Sequence, residues 1–546
     1  MQMKLLRHAL LVLLLGFGLA SCGDRERATD AAAREGILLW GNGTEPKGLD
    51  PHLVTGVPEN HIISSLIEGL IAYHPDNDMI AAPGMAESWE NEDYTVWTFH
   101  LRDAKWTNGD PVLASDFVYS WQRALTPSLG NQYAEIFYIM KGAQEFAEGK
   151  TDDFRTVGVK ALDDRTLRVT LKGPAPYFPN MLKHYSWFPV NPRAVEEHGG
   201  MGDRQSGWST LENFVGNGPF KLKKWVTNQE IEVERSPTYW DAKTVKLNGI
   251  RFFPIENAGT EEVMFRGGRL HLTNNVLNDK VPVFRKKMPD QLKIEPYLGN
   301  YYYKVNTARK PFDDPRVRKA LALSIDRQLL VDKVTKGGQL PGTGFVPAGV
   351  PGYPPVDATS FRPEEAKRLL AEAGYPGGEG FPDTEILVNT LETHRQIAEA
   401  LQAMWKKNLN IDVGIYNQEW KVYLDNVTNG TYDMARAGWI GDYVDPSAFL
   451  NIMTEGNGNN DTNWGDPRYD ALIAKAQRAP DEETRFKILR EAEEIMMDAM
   501  PVIPIYFYTR VYLKDPRLKG WHPKLLDNHP MKYLYFEEQG QPAPTE

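Results

Sequence analysis

The sequence holds a single cysteine among its 546 residues. One thiol excludes an internal disulfide framework and any Cys-rich zinc site. Histidine is also sparse, at 11 residues, and none forms an H-E-x-x-H pair or a Cys/His zinc spacing. There is no G-x-S-x-G elbow. Gly149-Lys150-Thr151 imitates the end of a phosphate loop, but Gln144 stands where the first glycine must let the backbone wrap a phosphate. Cationic excess is missing as well: 62 Lys and Arg face 73 Asp and Glu, for a formal charge of −11. That balance argues against nucleic acid as a partner, because such affinity rests on a cationic face. Beyond residue 21 no stretch approaches the roughly 20 apolar residues of a spanning helix. The expectation is a non-enzyme with no cofactor and no metal.

What is present points to an exported, packed protein. Hydrophobic residues make up 41% and charged residues 25%, the mixture of a water-soluble body. The length implies roughly two to four domains. Lys4 and Arg7 precede an apolar run from Ala9 to Leu19, the pattern of an export signal over 1–21. Leu19-Ala20-Ser21 then leads into Cys22 and looks like a bacterial lipobox, whose thiol is acylated and becomes the first mature residue. Two or three acyl chains hold a protein at a membrane where one binds only marginally. Residues 22–35 are small and polar and read as a flexible tether. The expected location is the cell envelope, on its periplasmic or extracellular face, lipid-anchored through Cys22.

Short β-rich runs alternate with amphipathic helical patterns, which favours a mixed α/β architecture without internal repeats. Residues 96–101 (VWTFHL) predict a strand. Residues 363–373 predict a helix, with Pro at the first turn, Leu369 and Leu370 apolar and Gly374 following. Over 393–407, Ile397, Leu401, Met404 and Trp405 share one helical face. A further helix is expected over 482–500 with Phe486, Leu489 and Ile495 inward. The Gly- and Pro-rich stretch 337–355 is a candidate crossing between lobes.

An ordered series of segments carries a resemblance. Asn42 to His52 (NGTEPKGLDPH) leads into Ile67-Glu68-Gly69-Leu70. Then come Ala86-Glu87-Ser88-Trp89, Trp106-Thr107-Asn108-Gly109-Asp110-Pro111 and Asn217-Gly218-Pro219-Phe220. Asn417 to Lys421 (NQEWK) and Ala435 to Tyr443 (ARAGWIGDY) close the series. From about Leu38 to Tyr535 the chain resembles the large peptide- and nickel-type substrate-binding proteins of ABC importers, most closely their oligopeptide-binding members. The resemblance implies a two-lobe flytrap (periplasmic-binding-protein) fold with an extra domain inserted in the first lobe. Carried over, the first lobe takes 36–68, 193–298 and 510–546, the added domain 69–192 and the second lobe 299–509. It implies a monomer that captures short peptides and delivers them to an ABC permease. Murein-derived peptides, or a non-peptide cargo such as a metal chelate, haem or a sugar, are the alternatives. Trp89, Trp97, Trp106 and Phe117 read as core of the added domain.

A free peptide offers an ammonium, a backbone of donors and acceptors, and a carboxylate. Sequence-tolerant binding uses these shared features, pairing the backbone with strand edges and leaving side chains in hydrated pockets. The resemblance implies that Asp442 anchors the amine; read alone, Asp442 equally suits a turn cap before Asp445-Pro446. Arg436 matches a cleft position as a carboxylate partner, with an internal salt bridge as the other reading, and Trp439 matches a wall. Val57, Tyr133, Asn274, Asn275, Tyr302, Trp420 and Tyr508 match further cleft positions. His394, near a helix N-terminus that itself favours an anion, matches a position that meets the peptide carboxylate. Val427 and Thr428 stand where a close relative is basic, and Thr55 and Lys304 where it is acidic. Gly299 and Ile440 occupy positions that form a disulfide in that relative. Amine anchoring is expected to persist while side-chain and C-terminal reading change.

Overall fold

The computed structural model describes residues 26–537. The expected signal segment and Cys22 lie outside them. Of the expected tether over 22–35, residues 22–25 lie outside the described ones, and the described part is corrected: Ala28–Arg34 is a docked helix, with Thr29 and Ala32 buried, Thr29 N–H donating to Gly268 O at 2.9 Å and Arg517 pairing with Asp30 at 2.8 Å.

Among the described residues, three β-sheets of four or six strands and two two-stranded ones organise the molecule. In the first, Ile37–Gly41 runs parallel to Gly249–Phe253, followed by antiparallel Glu230–Arg235 and Phe220–Val226. A separate antiparallel sheet places Ala86–Glu92 beside Val96–Leu101, then Thr166–Thr170 and Val159–Asp163. The strand expected at 96–101 is this Val96–Leu101. Trp97, Trp106 and Phe117 are buried here, and Trp89 is half-buried. Trp106 is fixed by its indole N–H donating to Asp116 at 2.9 Å. The third sheet has six strands: Leu340–Pro341, Val502–Leu513, Leu292–Val305, Met434–Ile440, Thr384–Asn389 and Val413–Gln418, in that spatial order.

Two long strands run from a small hydrophobic cluster into the large core. Leu292–Val305 and Val502–Leu513 pair antiparallel along their lengths. One end packs with Phe265, Leu270, Val281 and Phe284, and the other enters the large core with Tyr301, Tyr303, Val502 and Ile503. The pairing is irregular between Pro296 and Asn300. Proline has no N–H to give the ladder, and the Leu298 N–H turns away to Leu525 O at 2.7 Å. The lobe boundaries expected at 298/299 and 509/510 fall inside these strands. In the stretch 337–355, Leu340–Pro341 joins the third sheet at its edge.

The helices test the periodic readings. Pro363–Glu372 and Glu392–Leu409 match the expected positions, burying Leu370 in the first and Ile397, Leu401 and Trp405 in the second. Glu482–Ala499 also forms, but its inward face differs from the expected one. Phe486 and Ile495 are only half-buried, while Arg485, Ile488, Leu489, Glu493 and Met496 are buried. Two charges sit in that face because each has partners. Arg485 pairs with Asp445 at 2.7 and 2.5 Å, and Glu493 accepts from Phe345 N, Val346 N and the Tyr353 hydroxyl at 2.7–2.9 Å. A buried charge is tolerated when it is paired and hydrogen-bonded, so the apolar pattern alone misplaces the face.

Candidate functional site

Strand Met434–Ile440 has one edge that is only partly used. Thr384–Asn389 pairs with Met434 and Ala435 and goes no further along it. On the other side the strand pairs with Gly299 to Val305 throughout. The open edge from Arg436 to Ile440 therefore faces a cleft, where an extended ligand could add as a strand. The cleft holds adjoining cavities of about 520 and 680 Å³ that share Val57, Asn274, Asn275, Arg436 and Gly438. That is the size range of small-molecule sites. Gly299 and Ile440 are directly paired across the strands, and a Cβ on Gly299 would meet Ile440 Cδ1 at 2.4 Å.

Side chains alternate in direction along the strand. Arg436, Gly438 and Ile440 border both cavities, while His394 and Tyr508 line only the larger. Ala437 and Trp439 share the other face with Tyr302 and Lys304, which line the smaller cavity. All eleven candidate side chains line one cavity or the other: His394 and Tyr508 only the larger, and Tyr133, Tyr302, Trp420, Trp439 and Asp442 only the smaller. Tyr302 is 1% exposed, so it forms wall more than reach. Trp420 opens helix Trp420–Thr428, which Glu419 caps, and stacks on Tyr423 at 5.6 Å.

Asp442 follows the strand and stands nearly dry, its side chain 12% exposed. Its neighbours are neutral. The Tyr133 hydroxyl donates to it at 3.4 Å, and His184 Nε2 lies 3.4 Å away. Burial holds the His184 imidazole down at about 3, so it carries no charge at neutral pH. Burial likewise pushes the Asp442 carboxyl well above the usual carboxylate range, with nearby Glu135 adding to the effect. The turn-cap reading of Asp442 is not what the structure holds. Asp445 fills that role, accepting from Ser447 N at 2.9 Å. A dry carboxylate without a cation is suited to receive one from a ligand.

Arg436 presents the opposite charge. Its Nη2 donates to the Tyr508 hydroxyl at 2.9 Å, and its guanidinium lies 4.9 Å from the Tyr301 ring centre. Among the described residues no carboxylate lies within ion-pair distance, so the internal salt bridge is not formed. Gly438 makes this packing possible, since a Cβ there would lie 2.6 Å from the Tyr508 oxygen. His394 is buried, shares its Nδ1 with the Tyr301 hydroxyl at 3.3 Å, and is driven well below its ordinary pKa by burial and by Arg436.

Several cleft residues escape a reading by motif. Glu261 is 1% exposed and accepts the backbone N–H of Asn274 at 2.6 Å and of Asn275 at 3.1 Å, fixing that turn. Glu261 stands behind the cavity wall, whereas His184, Glu59, Tyr297 and Asp461 line the smaller cavity itself. None stands in a recognisable spacing, because each reaches the cleft through tertiary folding.

Contacts far apart in sequence close one side of this cleft. Asn459 donates to Glu135 at 3.2 Å, the Tyr177 and Tyr443 rings stack at 6.2 Å, and Tyr133 lies 6.3 Å from Trp439.

Residues 81–461 match the profile of the bacterial extracellular solute-binding proteins, family 5. This chain belongs to that family. A family 5 relative, the periplasmic oligopeptide-binding protein OppA of Escherichia coli, is 39% identical over 545 residues, covering 98% of each chain. Among solved structures, Haemophilus influenzae OppA in complex with the peptide RPPGFSPFR superposes with a TM-score of 0.85 at 37% identity, over 92% of this chain and 99% of that one. The murein tripeptide binding protein MppA of E. coli, at 35% identity, gives 0.85 in one structure and 0.65 in its unliganded open form, covering 92% of this chain and 98% of that one in each. The solute-binding fold here is thus two-lobed and matches the open arrangement less well.

Proposed function

We propose that this family 5 protein is an oligopeptide receptor of an ABC importer, capturing short peptides in the closing cleft and presenting them to a membrane permease. The observation that carries the reading is that Asp442 and Arg436 stand along one open strand edge, the first without a cationic and the second without an anionic partner among the described residues. A peptide supplies an ammonium for the first, a carboxylate for the second and backbone groups for the edge. Val57, Asn274 and Asn275 face that edge from the first lobe, and Trp420, Trp439, Tyr133 and Tyr302 bound the side-chain space. Ligand contact with both lobes favours the closed state, and the permease reads that state. The relatives named for oligopeptide and murein tripeptide binding support the class of cargo. Mass spectrometry of ligand released from the purified protein tests the reading. Short peptides are expected; haem, a metal chelate or a sugar as the retained ligand would overturn it.

The chain is held at the membrane, in this reading, by acylated Cys22, with the body in the periplasm or outside the cell and acting as a monomer. Lys4, Arg7, the apolar run and the small residues before Cys22 support it. Cys22→Ser is expected to move the protein from the membrane fraction to the soluble fraction while peptide affinity stays unchanged. Equal membrane retention of the variant would show that the thiol is not the anchor.

A further inference from the structure

Within the smaller cavity Lys304 and Asp461 form an ion pair, with side chains only 11% and 14% exposed. Lys304 Nζ also donates to Asn459 O at 3.1 Å. Asn459 in turn reaches Glu135 across the cleft at 3.2 Å, so the pair lies where the lobes close, on the amine side of the site. Trp420, Leu424 and Val427 line the same cavity and supply apolar wall. The pair belongs to neither the amine anchor nor Arg436, and both of its charges border ligand space.

A side chain that enters here meets a neutral pair of opposite charges. One ending in a single charge can bind only by splitting the pair, which leaves the other buried charge uncompensated. An aliphatic end leaves the pair intact and gains only wall contact. A side chain whose tip carries both an ammonium and a carboxylate can exchange partners, its carboxylate going to Lys304 and its ammonium to Asp461, and every charge stays paired. We propose that Lys304 and Asp461 form a side-chain subsite selecting peptides with a residue whose side chain ends in an amino-acid head, such as diaminopimelate. This rests on the peptide-receptor reading and names its preferred cargo.

The test is calorimetric titration of ligand-stripped protein with tri-alanine and with alanine tripeptides carrying diaminopimelate, lysine, glutamate or norleucine at each position in turn. At one position diaminopimelate is expected to bind about tenfold or more tighter than each of the other three. In Lys304→Gln/Asp461→Asn that preference is expected to vanish, the four substituted tripeptides then binding within about twofold of one another. Equal binding of the four side chains at every position, or a preference that survives the double variant, overturns the subsite and leaves the peptide reading standing. Failure of all the peptides, tri-alanine included, overturns both. Should the double variant not fold, the comparison of the four side chains on the unaltered protein decides alone.

Discussion

Asp442→Asn is expected to weaken binding of a free-amine tripeptide by two to three orders of magnitude. The carboxylate is nearly dry, and among the described residues Tyr133 and His184 are its close polar neighbours with Glu135 nearby, so in the variant a bound ammonium loses its directly paired anion. Breaking one side of a buried ion pair costs about 3–5 kcal/mol. The unliganded protein is expected to behave oppositely. There the carboxylate is desolvated without a cation, so the isosteric amide should leave the melting temperature unchanged or raise it. Calorimetry and thermal melts on the same variant separate the two effects, and a large fall in both would mean that Asp442 is structural. A pH dependence follows with a fixed sign. Burial raises the Asp442 pKa in the empty cleft, and a bound ammonium lowers it, so binding releases a proton between the two values. Peptide affinity should therefore fall as pH drops, starting above the ordinary aspartate range, and Asp442→Asn should flatten that dependence.

Arg123→Met is expected to cost about 3–5 kcal/mol of stability, lowering the melting temperature by roughly 3–5 °C. Arg123 is fully buried and grips Asp50 at 3.0 and 2.6 Å, while Asp50 also accepts from the Trp208 indole at 2.9 Å and from His52 N at 3.0 Å. One guanidinium thus ties together three chain segments far apart in sequence. Burial opposes the Asp50 charge, yet Arg123 holds its carboxyl below the usual range. That stabilisation is full above the unfolded aspartate pKa of about 3.9 and is lost as pH falls through the lower folded value. With methionine in place of arginine, Asp50 is left buried and unpaired, and the deficit against the unaltered protein should shrink in acid. Differential scanning calorimetry between pH 3 and 7 measures it; a melting temperature unchanged at pH 7 would contradict the assignment.

Much of the site was legible because its residues sit in short ordered segments. Asp442, Trp439 and Arg436 lie in one strand and its exit, so locating ARAGWIGDY located all three. The helices at 363–372 and 392–409 were readable because their buried positions are apolar. The two long paired strands were not. Leu292–Val305 reads LKIEPYLGNYYYKV, with proline, glycine, asparagine and lysine breaking any alternation, since each half packs in a different environment. Arg485 and Glu493 hid the inward face of their helix because their partners come from 445 and from 345–353. Lys304 and Asp461 are 157 residues apart, and no local pattern joins them. Glu261 acts on Asn274 and Asn275 only after its helix has packed beside their turn.

The central claim is that the cleft recognises what all peptides share, beginning with the amine. Calorimetric titration of protein starting at Gly23, unfolded and refolded to remove carried ligand, tests it with tri-alanine and N-acetyl-tri-alanine. The account predicts saturable binding of the free peptide and a loss of at least a hundredfold on acetylation. Equal affinity for the two forms would contradict it.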